Sequence, residues 1–526
     1  MLNVVWWKPR FWAYLLLSVT GALLVASHTP VGAALSMDSL FYLSTANNIL
    51  DGNGIVQETF SLSGPAIRPM TVWPPLYPVV LAGFLWITKL ASSSDVFGVA
   101  VFNFFALVAS LILMLRITSR VTATTAGVVV AVALALSPSL QIAYTYAWSE
   151  VLFIPLSLGA YLGLQHYLDD STRRDRRGLY FLIVLLGLAT YTRYVGLAFF
   201  ASAAMALLLY GRGSPVERLR TVALASLAYV TLLVPLLVRN YSASGALSGG
   251  QRGVPDTNLT SDLWRLGTYL NLEFLNLPWL PTVGFILIAI VSVIWLLNRP
   301  FAAESRAGSP SVSLSVAVPF LFAFFYFAFL LVSRAIQFID LDSRMLSVAV
   351  PFILIGLVGI YQLLSTRTNS RLAVLPFLLP MFAFAINAVQ AHTSILNGWR
   401  DSGEPGPVLG LTYRSITGRQ VDSLRSINEH FSPTAGSLVL TDIARPIIVK
   451  YLFADMDVRQ MPVTADEQSL ALLEKPMQRR GLAIITGEDW SRTLSRDLEG
   501  RADFFTIQGR SGNAEYVVIK LPVAAP

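Results

Sequence analysis

Residues 73–90 read Trp73-Pro74-Pro75-Leu76-Tyr77-Pro78-Val79-Val80-Leu81-Ala82-Gly83-Phe84-Leu85-Trp86-Ile87-Thr88-Lys89-Leu90. Whether this run crosses a bilayer decides the topology of the chain. Further apolar runs lie at 11–28, 96–115, 121–138, 150–168, 179–192, 195–211, 220–238, 281–298, 313–332, 345–364 and 372–389, and with 73–90 they make twelve. A helix needs about 20 mostly apolar residues to span a bilayer. Composition agrees: 54% of the 526 residues are hydrophobic and 13% are charged, against about 25% charged in soluble domains. The sequence therefore predicts an α-helical polytopic membrane protein. The first run follows Lys8 and Arg10 as a signal peptide would, but without a small-x-small cleavage site it reads as the first span.

Basic residues set the orientation. Lys8/Arg10, Arg116/Arg120, Arg173–Arg177, Arg212–Arg220, Arg299/Arg306 and Arg367/Arg371 sit in connectors, and such clusters stay in the cytoplasm. This pattern also accounts for the net charge of +7, so no nucleic-acid partner is predicted. With the N-terminus inside, an odd number of crossings separates residue 30 from Arg116. Two runs lie between, so one of them does not cross. The run 73–90, with its prolines and with Trp73, Tyr77 and Trp86 suited to headgroup level, is predicted to lie in the interface. The stretch 179–211 has basic clusters on both flanks, which predicts a hairpin of two short helices turning near Thr192-Arg193-Tyr194. About eleven membrane helices satisfy every cluster. Outside then fall 29–95 (the first outer loop), 139–149, the tip near 193, 239–280, 333–344 and everything after 390.

Composition changes after Ala391. The division predicted is a transmembrane domain over 1–390 and an extracytoplasmic soluble α/β domain over 391–526. In the latter, Ser437–Asp442, Leu482–Thr486 and Tyr516–Leu521 read as strands and Asp466–Lys475 as a helix stopped by Pro476. With no cysteine in the chain, disulfides and thiolate chemistry are excluded, and the four histidines show no metal-ligand spacing.

Unusual polar residues gather on the outer side. Asp38 opens a helical pattern after the first span, either as an N-cap or as a reactive carboxylate. Glu150 starts an apolar span, where the helix dipole favours a carboxylate. Arg193 lies inside an apolar stretch, where a charge is functional by default unless it snorkels to the interface. Arg239 ends a span on the outer side. Arg334 and Arg344 flank Asp340 and Asp342, with which Arg344 would make a structural pair. Arginines beside carboxylates suit an anionic lipid headgroup: guanidinium binds phosphate in a planar fork, and a carboxylate can take a proton from an attacking hydroxyl.

Met37-Asp38-Ser39…Tyr42, Trp73-Pro74-Pro75-Leu76-Tyr77-Pro78, Ser149-Glu150, Thr192-Arg193-Tyr194 and Arg239-Asn240-Tyr241 occur in this order over residues 10–350. In these motifs the chain resembles the GT-C glycosyltransferases, the membrane class that uses polyprenyl-phosphate sugars. It is most similar to the protein O-mannosyltransferase and aminoarabinose-transferase branch. The resemblance implies juxtamembrane helices in the first outer loop and assigns the catalytic carboxylate to Asp38. The family's second acid is replaced by Ser39. The aminoarabinose branch has a lysine before Pro-Pro, where this chain has Trp73, which leaves phosphate binding to arginines.

The resemblance further implies inverting transfer from a polyprenyl-phosphate sugar to an acceptor hydroxyl at the outer face. Asp38 is the general base, and Arg193, Arg239, Arg344, Tyr42 and Tyr77 bind the donor phosphate and sugar. Glu150 and Trp73 position the acceptor or the sugar. A monophosphate leaving group requires no metal or other cofactor. The implied partners are the lipid bilayer, the lipid-linked sugar and a glycan, lipid or protein acceptor. The implied setting is a bacterial inner membrane, with the N-terminus cytoplasmic. The alternatives are a lipid or solute transporter, against which the lack of internal repeats counts, and an outer-face polysaccharide ligase or polymerase using a lipid diphosphate.

Overall fold

The computed structural model describes residues 9–368 apart from 28–32, 34, 62–63, 123, 170–175, 212, 251–257, 275–311 and 337–340. Beyond 368 it describes residues 386 and 389 and five strands. The expected spans 281–298 and 372–389, the helix 466–475 and Asp340 lie outside the described residues, the second of these spans apart from Ile386 and Val389.

The chain divides into two units. The first comprises Met1–Ala33, Thr71–Val80 and Ile87–Gly406, and the second Ala34–Met70, Leu81–Trp86 and Pro407–Pro526. The sequence placed the whole first outer loop with the membrane domain. Residues 34–70 fall in the second of these units.

Among the described residues of the first unit, four helices are long and apolar enough to cross a membrane: α4 (Asp95–Val121), α7 (Glu150–Asp169), α10 (Pro215–Ser244) and α12 (Val312–Ile336). The chain is a multi-pass membrane protein. Shorter apolar helices are α1 (Pro9–Ala26), α3 (Leu76–Leu90), α8 (Arg177–Thr192), α9 (Gly196–Tyr210) and α13 (Leu346–Thr368). Because α3 has 15 residues, it rises about 22 Å, short of a hydrocarbon core of about 30 Å. One of its faces buries Tyr77, Leu81 and Leu85 while Val79, Trp86 and Leu90 are exposed on the other. The run 73–90 thus forms a short helix with one buried and one exposed apolar face.

The expected hairpin over 179–211 is present as α8 and α9, with Arg193 as the C-cap of α8. Its turn requires Gly196, because a Cβ there would lie 2.3 Å from the Thr190 hydroxyl and 2.7 Å from its backbone nitrogen. The expected span 121–138 is corrected. Helix α4 continues to Val121, α5 covers Thr124–Leu136, and a bend of 57° leads into α6 (Pro138–Thr145), in what was expected to be loop. Ser137 caps α6 by accepting from the Leu140 N–H at 3.3 Å. Pro138, which has no N–H to lose, takes the first helical position. A further described helix, α11 (Leu259–Phe274), does not belong to the apolar set.

Aromatic rings hold this unit's centre. Phe199 of α9 meets Phe322 of α12 and Phe352 of α13 edge-on, both at 5.2 Å, and the latter two stack at 5.1 Å. Tyr326 of α12 donates to the Met345 carbonyl at 2.6 Å, holding a 3-10 turn, Ser343–Met345, ahead of α13.

The second unit contains α2 (Met37–Leu50), the antiparallel hairpin β1 (Val56–Ser61) and β2 (Gly64–Pro69), and a five-stranded sheet. The sheet strands are β3 (Leu438–Thr441), β4 (Asp457–Gln460), β5 (Ala483–Thr486), β6 (Asp503–Gln508) and β7 (Ala514–Lys520), in the order β4-β3-β5-β7-β6. β4, β3 and β5 run parallel, and β7 is antiparallel to both β5 and β6. The three strands expected from sequence are β3, β5 and β7. The β1–β2 hairpin lies against edge strand β4, and β1 lies against α2, which is why the first loop and the C-terminal strands form one unit.

Candidate functional site

The site grows from the turn between α6 and α7. Asn103, buried in the first half of α4, donates to the carbonyls of Tyr144 and Tyr146 at 2.8 and 2.9 Å. The Tyr146 and Trp148 rings stack at 4.2 Å. These contacts fix Glu150 as the first residue of α7, where the helix dipole favours its charge.

Glu150 is 1% exposed. An ion this buried persists only when paired. Arg193 Nη1, from the tip of the α8–α9 hairpin, lies 2.6 Å from Glu150 Oε2 and 2.9 Å from the Ser149 hydroxyl. On the other side, Arg344 Nε is 3.9 Å from Glu150 Oε1 and 3.1 Å from Asp342 Oδ2. The Arg344 guanidinium also lies over the Trp148 ring, 4.5 Å from its centroid, a cation–π contact. The side chains of Arg193 and Arg344 keep 20% and 14% exposure. Two guanidiniums are thus oriented by carboxylates yet reachable, an arrangement that suits a phosphate.

A second set of contacts joins the adjacent segments. Asn240 of α10 donates to Tyr194 Oη at 2.8 Å and to the Leu247 carbonyl at 3.1 Å, and Tyr194 donates to the Thr71 carbonyl at 3.5 Å. Gly249 comes up against Thr71 so closely that a Cβ would lie 2.0 Å from its carbonyl oxygen. Behind the α5–α6 bend, Glu273 of α11 is buried and accepts from both the Ser137 and Ser139 hydroxyls and from the Ser139 N–H. Burial pushes its pKa up to about 7 against the lowering effect of those hydrogen bonds.

No protein-family model matches the chain, and no curated protein matches it by sequence. Solved structures do match. ArnT from Cupriavidus metallidurans, bound to undecaprenyl phosphate, superposes with a TM-score of 0.57 at 12% identity, covering 98% of each chain. The archaeal oligosaccharyltransferase AglB from Archaeoglobus fulgidus, in complex with an inhibitory peptide and a dolichol-phosphate, gives 0.50 at 11% identity, covering 97% of this chain and 74% of that one. The chain has a GT-C fold.

Within the GT-C fold, the structure gathers Glu150, Arg193 and Arg344 from three distant stretches. Arg344 also makes the pair with Asp342 that the sequence offered as its structural reading. Arg334 pairs instead with Asp262 of α11 at 2.7 Å. Arg239 contacts the side chain of its neighbour Asn240 at 3.5 Å. Trp73 is half-buried beside the Thr71 contact, and Tyr77 is fully buried with its ring 5.8 Å from Phe102. Asp38 and Tyr42 belong to the other unit, on α2, where Tyr42 is buried. The capping reading of Asp38 is corrected: Ser36 is the N-cap, accepting from the Ser39 N–H at 3.3 Å, and Asp38 sits one residue inside the helix. Among the described residues no three His, Asp or Glu side chains converge as metal ligands would.

Sequence reading did not single out Trp148, Asn103 or Glu273. A signal for Asn103 was present, since an amide inside an apolar span demands partners. Glu273 gave none, because its partners lie more than a hundred residues away.

Proposed function

We propose that the chain is an inverting glycosyltransferase that moves a sugar from a polyprenyl-phosphate donor to an acceptor hydroxyl at the outer face of a bacterial inner membrane. The observation that carries this reading is the pair of guanidiniums oriented on one buried carboxylate, Glu150, at 2.6 and 3.9 Å. The neighbouring GT-C structures hold undecaprenyl phosphate and dolichol-phosphate, the same ligand chemistry.

In this reading Arg193 and Arg344 bind the donor phosphate, with Arg239 as a further cation. Glu150 acts through them, because its oxygens are turned to the guanidiniums and almost none of its surface is exposed. Asp38, in the first turn of α2, takes the proton of the acceptor hydroxyl. The acceptor oxygen bonds to the anomeric carbon from the side opposite the phosphate. The bond from that carbon to the phosphate oxygen breaks, and polyprenyl phosphate leaves with its new charge stabilised by preorganised donors. A monophosphate gains only one charge in this step, which two arginines can meet without a metal.

The test is a panel of polyprenyl-phosphate and polyprenyl-diphosphate sugars incubated with the purified protein and assayed for release of the lipid carrier. One member of the panel should be consumed, and Asp38→Asn should abolish transfer while the donor is still bound. Near-normal turnover by Asp38→Asn would remove Asp38 from the mechanism. Consumption of lipid-diphosphate sugars alone would replace this reading with a ligase or polymerase.

A further inference from the structure

Helix α7 has a second charged site at its other end. His166 lies 16 positions after Glu150, a rise of about 24 Å along the helix. There the ends of α4 and α7 meet the start of α8 around an open groove of about 370 Å³ lined by Arg120, His166, Arg177 and Phe181. That volume suits a small ligand. The floor is made by backbone. A Cβ on Gly178 would lie 2.7 Å from the Gly163 carbonyl oxygen and 2.8 Å from the Tyr167 nitrogen, so α7 and α8 touch directly there.

The groove is basic. Its lining carries Arg120, His166 and Arg177, and Asp169 lies 3.5 Å from Arg120. The first turn of α8 adds its amides, and its N-cap residue Arg176 makes no side-chain capping bond; such a helix start favours an anion. One wall is apolar and continuous with the outside of the protein: Phe181 belongs to an exposed stripe of α8 with Tyr180, Val184 and Leu188. A ligand here meets positive charge at one end and a membrane-facing apolar surface at the other.

We propose that this groove binds the phosphate headgroup of an anionic membrane lipid, in the leaflet opposite the Glu150 cluster. Arg120 and Arg177 take the phosphate oxygens, His166 donates a further hydrogen bond, and an acyl chain lies along the α8 stripe from Phe181. The site is independent of the donor site, since no residue is shared.

The experiment uses the full-length protein in detergent and measures retention of phosphatidylglycerol, phosphatidylcholine or inorganic phosphate by wild type and by the Arg177→Gln/His166→Gln variant. Wild type should prefer phosphatidylglycerol, and the double variant should bind it about tenfold more weakly, as loss of charge-assisted hydrogen bonds implies. Retention of phosphatidylcholine should not change. His166→Gln alone, at an exposed side chain, should shift binding in the same direction by less, and it carries the test if the double variant fails to fold. Unchanged phosphatidylglycerol retention in the variants would overturn the proposal. So would displacement of the lipid by inorganic phosphate at equal concentration, which would make this a site for a soluble anion.

Discussion

The two ends of α7 hold charge in opposite ways. At Glu150 the guanidiniums of Arg193 and Arg344 are nearly buried and neutralised by carboxylates. At the far end Arg120 and Asp169 are 39% and 26% exposed, beside a groove that Arg120, His166 and Arg177 line. Burial makes a charge dependent on its partner, and the partner fixes its direction. Exposure lets water and salt screen a charge, so it attracts without positioning. The first end is built for recognition of shape, and the second for attraction.

Breaking each end should show this difference. The largest effect is expected for Glu150→Ala, which leaves two largely buried guanidiniums without their shared carboxylate and should destabilise the protein by about 4 kcal/mol. The unfolding midpoint in detergent measures it. Glu273 gives the next effect, of up to about 3 kcal/mol, because its carboxyl pKa is raised from 4.5 to about 7 in the folded state. Between those values the folded protein holds a proton that the unfolded chain releases. Stability is therefore greatest below the unfolded value and falls as pH rises through the folded one. A stability profile from pH 4 to 8 should show this decline, and Glu273→Gln should flatten it. At the far end Arg120→Gln should cost about 1 kcal/mol or less, vanishing at high salt.

Much of the fold was legible in local pattern. The prolines and spaced aromatics of 73–90 marked a short amphipathic helix, and basic flanks marked the hairpin that carries Arg193. Strands β3, β5 and β7 followed from their apolar runs. The helix after Ser137 was not read, because the apolar run ends there and only a Ser-Pro pair signals a new helix start. The candidate residues Glu150, Arg193 and Arg344 stood out as charges beside apolar stretches. Their meeting did not, because no local periodicity encodes contacts between segments 43 and 194 residues apart along the chain. The same reason hid the grouping of residues 34–70 with the C-terminal strands, and the capping of α2 by Ser36 took the place of the one local role assigned to Asp38.

The most direct test of the Glu150 cluster is the affinity for undecaprenyl phosphate of wild type and Arg193→Ala measured side by side in the same detergent. Loss of a charge-assisted hydrogen bond to phosphate should weaken binding about tenfold or more, while the Arg177→Gln/His166→Gln variant should bind as wild type does. Equal affinity of Arg193→Ala and wild type would contradict the assignment of the donor phosphate to this cluster.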